Sequence, residues 1–356
     1  LAREHGVTRL ADLTGLDRIG VPVWQAVRPD SRALSVHQGK GLTRSEARRG
    51  ALMEAIESAH AEGWSRVDRV AAWSELPADA RPLHVDDFAV TRDEGTTDAL
   101  LAWCETEPLG RRMPFLVPFA SVSLDTTRPG EAGIRRSSDG QAAHFGLEAA
   151  TLGALRELIE RDARAAEAAE PITRSMRRSI DLESIDYPWF RGLRSSFAER
   201  NIIPRVRLLP AVIPLTALFC ELHDTDPFSA ARAATGGAAA HEDPEAALLG
   251  AVLEAIQSRA TILSGSRDDL PLAPAVRTGC DRPSGLPGLP PGHRGVAFPV
   301  NGHGPWDLDR FVSELDRAGL PQVGIVKLSP RESPVTTVKA FVPGLAGGLK
   351  SRRISK

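Results

Sequence analysis

The pattern of apolar and polar positions repeats one eight-residue phrase three times: GALMEAIE (Gly50 to Glu57), GALRELIE (Gly153 to Glu160) and GAVLEAIQ (Gly250 to Gln257). The copies lie about a hundred residues apart, too far for a solenoid built from units of roughly 20–50 residues, so each is a part reused within one architecture. At about 100° per residue on a helix, Gly50, Glu54, Glu57 and Ser58 share one narrow face, while Ala51, Leu52, Ala55 and Ile56 fill the rest. The second copy places Gly153, Glu157, Glu160 and Arg161 on that face, and the third Gly250, Glu254, Gln257 and Ser258. Taken singly, each stripe fits a solvated helix surface. Their shared register and apolar flanks point instead to helices buried on most sides.

The same pattern predicts helices over 43–61, 147–168, 188–200, 244–263 and 307–318. Thr43 followed by Glu46 has capping-box spacing, and Pro244 suits a first turn. Strands are expected near 21–27, 82–90 and 113–124, twice within 203–222 where prolines break the apolar run, and in the closing VGIVKL and VTTVKAFVP. RPSGLPGLPPGHRG reads as a long surface loop. These segments divide one domain of 1–356 into a lead-in (1–41), a core (42–281), a Pro/Gly loop (282–296) and C-terminal strands with a basic tail (297–356). Strands and helices mix without regular βαβ alternation, which favours an α+β fold with antiparallel-rich sheets.

Composition narrows the partners. A net charge of −2 over 356 residues gives no electrostatic case for nucleic acid or an acidic membrane. No apolar run approaches the roughly 18 residues of a membrane span, and no signal peptide is evident, so a cytoplasmic location is expected. Cys104, Cys220 and Cys280 form no CxxC pair and read as small core hydrophobes. Lysine is scarce: of 44 basic residues only Lys40, Lys327, Lys339, Lys350 and Lys356 are lysines, so Lys40 stands out.

A glycine inside a helix costs about 1 kcal/mol relative to alanine, so its place at the head of each stripe suggests close packing or binding against the backbone. Each helix also follows a glycine-bearing segment, SVHQGKG, RSSDGQAA or TGGAAAHED, read here as a loop opening onto a helix N-terminus and suited to phosphate. Converging glutamates are costly to bury unpaired, and a divalent cation removes that cost; hard oxygen ligands suit Mg2+. The residues therefore point to a magnesium–nucleotide site with a carboxylate floor. It is no P-loop, since GxxxxGK[ST] is absent.

TRLADLTGLDRIGVPVWQAVRPDSRALSVHQGKG, GALMEAIE, LEAATLGALRELIERDA and EAIQSRATILSGSRDDL together resemble the YcaO-domain family across nearly the whole chain. The resemblance implies a YcaO-like fold with the three similar helices lining one ATP–Mg2+ site. It implies Glu54, Glu57, Glu157 and Glu160 as Mg2+ ligands. Arg161, Gln257, Arg259 and Arg267 would contact nucleotide, and Lys40 would lie near phosphate. Two positions depart from the family pattern: Gly50 stands where many members have serine, and Asp139–Gly140 where Asn-Gly is common. Family chemistry is ATP-dependent activation of a peptide backbone amide, with no protein nucleophile. The VRPDSR…QGKG front and closing VPGL are similar to the branch that works with TfuA-like partners, or alone, to install thioamides from a sulfide source. The proline-rich tail common among azoline-forming members is missing, and azoline formation is the second expectation. A non-catalytic nucleotide-binding accessory role is the third. No leader-recognition segment is evident, so a precursor peptide or protein would arrive through a TfuA-like or leader-binding partner, and a homodimer is expected.

Overall fold

The computed structural model describes residues 1–81, 88, 99–110, 113–128, 134, 136–226, 234–266 and 295–345. The predicted capping box is present: the Thr43 side chain accepts from Glu46 N–H, the Glu46 carboxylate accepts from Thr43 N–H, and α1 runs Arg44–Gly63. The other expected helices follow as α3 (Leu147–Ala168), α5 (Pro188–Glu199), α6 (Pro244–Ser264) and α7 (Leu308–Arg317). Two short helices, α2 (Phe119–Val122) and α4 (Ile172–Met176), were not expected.

Four small antiparallel sheets carry these helices among the described residues. β1 (Arg9–Asp12), β2 (Val23–Val27) and β3 (Val36–Lys40) form the first, so the first forty residues hold a sheet where one strand was expected. β4 (Arg69–Ala71), β5 (Leu101–Glu105) and β7 (Leu116–Pro118) form the second. β9 (Ile202–Leu208), β10 (Thr216–Asp224) and β11 (Thr235–His241) form the third. The fourth has the order β6-β12-β13-β8, from β6 (Glu107–Pro108), β12 (Gly324–Lys327), β13 (Thr336–Phe341) and β8 (Gln141–His144). The strand expected over 113–124 is only β7, after which the chain turns into α2, with the Ser121 hydroxyl donating to the Pro118 carbonyl at 2.7 Å. A short apolar run does not by itself distinguish strand from buried helix. The strand expected over 82–90 lies outside the described residues apart from Phe88, as does the Pro/Gly loop before Gly295.

The repeated phrase marks a repeated unit. β3 leads into α1, β8 into α3 and β11 into α6, and each helix packs on the strand before it. In the second glycine-bearing segment 136–140 turn ahead of β8, as expected; the first and third are strands over most of their length, a correction to the loops expected from sequence. Their glycines let helix and strand backbones touch. A Cβ on Gly39 would lie 2.0 Å from the Ala51 nitrogen, and one on Gly237 would lie 2.3 Å from the Ala255 nitrogen. From the helix side, a Cβ on Gly50 would meet Gly39 Cα at 3.3 Å, and one on Gly250 would meet Ala239 Cβ at 2.7 Å. The stripe glycines thus serve helix–strand contact, where a Cβ would hold the two backbones apart.

Separate apolar clusters seat the helices. Leu155 and Ile159 of α3 pack with Phe311, Val338 and Ala340, while Val252 and Ile256 of α6 pack with Phe197, Leu218 and Cys220. α6 is the one helix among the described residues long and apolar enough to cross a membrane, and more than half of its apolar window is buried inside this fold. Burial of that apolar face against β10 and β11 accounts for its composition.

Candidate active site

The polar stripes of α1, α3 and α6 converge: Glu54 and Glu57 lie close enough to Glu157, and Glu160 to Glu254, for their charges to interact. β8 is the edge of its sheet, with α1 and α3 both packed against it. The Ala143 backbone N–H donates to the Glu57 carboxylate, and Gln141 Nε2 donates to the Glu57 carbonyl at 3.0 Å. On α3, Arg161 lies between the carboxylates: Nη1 donates to Glu160 at 2.8 Å and Nη2 to Glu157 at 3.2 Å, and Nε stands 3.4 Å from Asp139. α6 adds Glu254, whose carboxylate stands 3.4 Å from Lys40 Nζ on β3. The i, i+3 spacing places Glu54 with Glu57, and Glu157 with Glu160, on one helical face, and in the third copy Glu254 with Gln257. Glu160 is buried, whereas Glu157 and Glu254 keep 23% and 28% of their side chains accessible, so part of the cluster is open to solvent.

The charge state records this crowding. Burial, then the neighbouring Glu54 and Glu157, hold Glu57 well above the usual carboxylate range, against the opposing pull of Ala143 N–H and Lys339. Burial, with Glu160, Asp139 and Glu54, raises Glu157 to about 8 despite Arg161. Glu160 rises to about 7 through burial and Glu254, opposed by Arg161, Arg164 and Lys40. Burial works against the Arg161 charge, but Glu160, Glu157, Glu254 and Asp139 together push its pKa upward. Carboxylates from α1, α3 and α6 therefore feel one another directly, and their negative charge exceeds what Arg161 and Lys40 neutralise. An oxygen donor set with excess negative charge, open on one side, fits a hard divalent cation carrying phosphates. Among the described residues, no three His, Cys, Asp or Glu side chains already stand in metal-ligating geometry.

Glu54, Glu57, Glu157, Glu160, Arg161 and Lys40 are thus brought together. Gln257 lies one turn along α6 from Glu254, partly accessible. Arg259 departs from the expected nucleotide contact: it is 1% exposed, with Nε 2.9 Å from Asp17 and Nη2 2.7 Å from Asp224. Position 259 falls on the apolar side of α6, against the sheet, where the arginine joins the N-terminal segment to β10. Arg267 lies outside the described residues. Ser58, on the α1 stripe, instead donates to Glu62 at 3.0 Å within a buried group that includes Arg28.

Asp139, Glu254 and Lys339 belong to the site although none was singled out as a ligand. The third stripe carried a signal for Glu254 and the glycine-bearing segment one for Asp139; Lys339 had none beyond the rarity of lysine. The other candidates have structural surroundings. Cys104 and Cys220 are buried, and burial pushes the Cys220 thiol up to about 12, which leaves it unreactive. His223 faces Glu221 at 3.5 Å, while its chain neighbour Asp224 pairs with Arg18 on the opposite face.

A mixed fold in which three repeated helices bring carboxylates into one cluster fits a nucleotide- and metal-dependent class. Residues 38–346 match the family described as "YcaO cyclodehydratase, ATP-ad Mg2+-binding", and the chain belongs to this YcaO family. Family members are ATP-dependent peptide-modifying enzymes whose domain binds ATP and Mg2+. Over 365 residues the chain is 30% identical to an uncharacterized protein in the tfuA 3' region of Rhizobium leguminosarum bv. trifolii, spanning 96% of this chain and 84% of that one. Its fold is similar to the YcaO from Methanopyrus kandleri bound with AMPPCP and Mg2+, at TM-score 0.72 and 23% identity, covering 97% and 87% of the two chains. It is also similar to a heterocyclase in complex with substrate and cofactor, at TM-score 0.75 and 21% identity, covering 96% of this chain and 50% of that one. The chain thus spans half the length of that heterocyclase.

Proposed function

We propose that this protein activates a peptide backbone amide by ATP-dependent O-phosphorylation and thereby installs a thioamide in a ribosomally made peptide or protein. The observation that carries the reading is the meeting of the α1, α3 and α6 carboxylates around Arg161 and Lys40, partly open to solvent. Glu54, Glu57, Glu157 and Glu160 would hold Mg2+, with Lys40, Arg161 and Gln257 turned toward the nucleotide. When bound, the metal supplies charge neutralisation for phosphoryl transfer. Such transfer needs positioning and charge stabilisation rather than a protein nucleophile, and Arg161, fixed by three carboxylates, is already oriented for that task.

In the proposed reaction, sulfide adds to the amide carbonyl carbon, and the resulting oxyanion attacks the γ-phosphorus of ATP, releasing ADP. Loss of phosphate then breaks the carbon–oxygen bond and leaves a carbon–sulfur double bond. The tfuA-region relative supports this branch and suggests a TfuA-like partner, with a separate leader-binding protein as the other route for substrate delivery. A homodimer is part of the same proposal. The family description favours a second reading, cyclodehydration of a Cys, Ser or Thr side chain onto the same carbonyl. Incubating the protein with ATP, Mg2+, sulfide, candidate peptide and partner, and weighing the peptide, separates the readings. Exchange of oxygen for sulfur supports thioamidation, and loss of water supports azoline formation. Nucleotide binding without peptide-dependent phosphate release supports an accessory role. Absence of nucleotide binding overturns all three.

A further inference from the structure

One more cation stands against the same cluster from the sheet side. Among 44 basic residues only five are lysines, and of the three described, Lys40 and Lys339 both face cluster carboxylates whereas Lys327 is exposed. Lys339 sits in β13, 2% exposed, directly opposite Gln141 of β8. Its ammonium donates to the Ser137 carbonyl, and the next residue, Ala340, donates its N–H to the Gly140 carbonyl at 2.8 Å. The 137–140 turn is thus tied to β13 at both ends. That turn carries Asp139, which holds Arg161 Nε at 3.4 Å. Gly140 has φ of +73°, and a Cβ there would meet the Ala340 carbonyl at 2.8 Å and Leu158 at 2.7 Å, so the turn lies close against β13 and α3. The Lys339 charge also reaches Glu57, which Gln141 and Ala143 hold from β8.

We propose that Lys339 is a positioning residue of the metal–nucleotide site: it fixes the Asp139 turn, and through Asp139 the guanidinium of Arg161, in register with Glu57. The inference rests on the reading of the site given above. A buried ammonium is costly unless charges and backbone oxygens compensate it, and here the turn carbonyl and the acidic cluster do so. A compact ammonium on a flexible stem fits between a strand and a tight turn where a planar guanidinium would not, which accounts for lysine in a chain that otherwise uses arginine.

The test uses the full chain and three variants, Lys339→Met, Asp139→Asn and the double. For each, titration calorimetry with a non-hydrolysable ATP analogue gives the Mg2+ concentration at half-saturation, and thermal melting reports the fold. Loss of one charged hydrogen-bond link is expected to raise the Mg2+ midpoint about tenfold in either single variant. The double is expected to lie within about twofold of the singles, because both act through one relay. Asp139→Asn alters a partly accessible side chain, so the relay stays testable if Lys339→Met does not fold. A Lys339→Met protein with a lowered melting temperature but a wild-type Mg2+ midpoint overturns the proposal, as does a wild-type midpoint for Asp139→Asn or a double that multiplies the single effects. Wild-type protein that binds no magnesium–nucleotide overturns the reading of the site itself, before any variant is made.

Discussion

Glu157→Gln is expected to stabilise the free protein at pH 8 and to leave it unchanged near pH 4.5. Burial and the surrounding carboxylates raise the Glu157 carboxyl from 4.5 to about 8 in the folded chain. Between those values the native state keeps a proton that the unfolded chain has released, so stability present below pH 4.5 is lost as pH rises toward 8. At about 1.4 kcal/mol per pH unit, the interval from 4.5 to about 8 corresponds to at most about 5 kcal/mol. The side chain keeps 23% of its surface accessible, and screening there reduces the expectation to on the order of 2 kcal/mol. Glutamine keeps an oxygen for Arg161 and removes the titration. Urea unfolding of both proteins in chelator at pH 5, 6.5 and 8 measures the difference, which is expected to grow with pH. A second arm adds Mg2+ and nucleotide at pH 8: wild type gains stability and Glu157→Gln gains little. A variant equally or less stable than wild type at pH 8 in chelator would refute the account of the cluster as mutually repelling carboxylates.

Other outcomes follow from the same packing. His60 is buried beside His5 and Thr337 and lowered to about 4 by burial, His5 and Arg28; the unfolded chain takes the proton first, so about 3 kcal/mol of stability is expected to disappear between pH 6.5 and 4. His60→Gln, followed by acid unfolding, is expected to flatten that limb, and an unchanged limb would count against it. Gly39→Ala forces a Cβ into the α1 backbone at 2.0 Å from the Ala51 nitrogen; a loss of about 3 kcal/mol or more is expected in denaturant melts, whereas Gly15→Ala, with open space around it, serves as the neutral control. Arg259→Met removes the arginine that pairs buried Asp17 and shares buried Asp224 with Arg18, with an expected cost of about 3–5 kcal/mol. A fully stable Arg259→Met chain with weakened nucleotide binding would instead return Arg259 to the ligand set first expected of it.

Local rules carried much of the reading because they depend only on neighbours along the chain. The α1 cap, the span of α3, the proline start of α6 and the two proline-separated strands β9 and β10 follow from hydrogen-bond chemistry and local pattern within a few residues. The acidic stripes were legible for the same reason, since positions three and four apart on a helix must share a face. Where the rule was ambiguous the reading failed, as at 113–124, where a buried strand and a buried helical turn have the same composition. Two of the glycine-bearing segments read as phosphate loops, 35–41 and 235–243, became strands because the helices lie directly on them, a contact between residues about ten or more positions apart.

Sequence alone therefore set the five longer helices, the family resemblance and the residue types at the candidate site: Glu54, Glu57, Glu157, Glu160, Arg161 and Lys40. Only the tertiary structure decided that the three stripes meet in one cluster and that Glu254, Asp139 and Lys339 join it. It also decided that Arg259 serves buried Asp17 and Asp224. The physical reason is range. Propensity and periodicity act over one or two turns, while the pairing of charges across β8, β13 and three helices depends on which buried surfaces exclude water together, and that is fixed only when the whole chain packs.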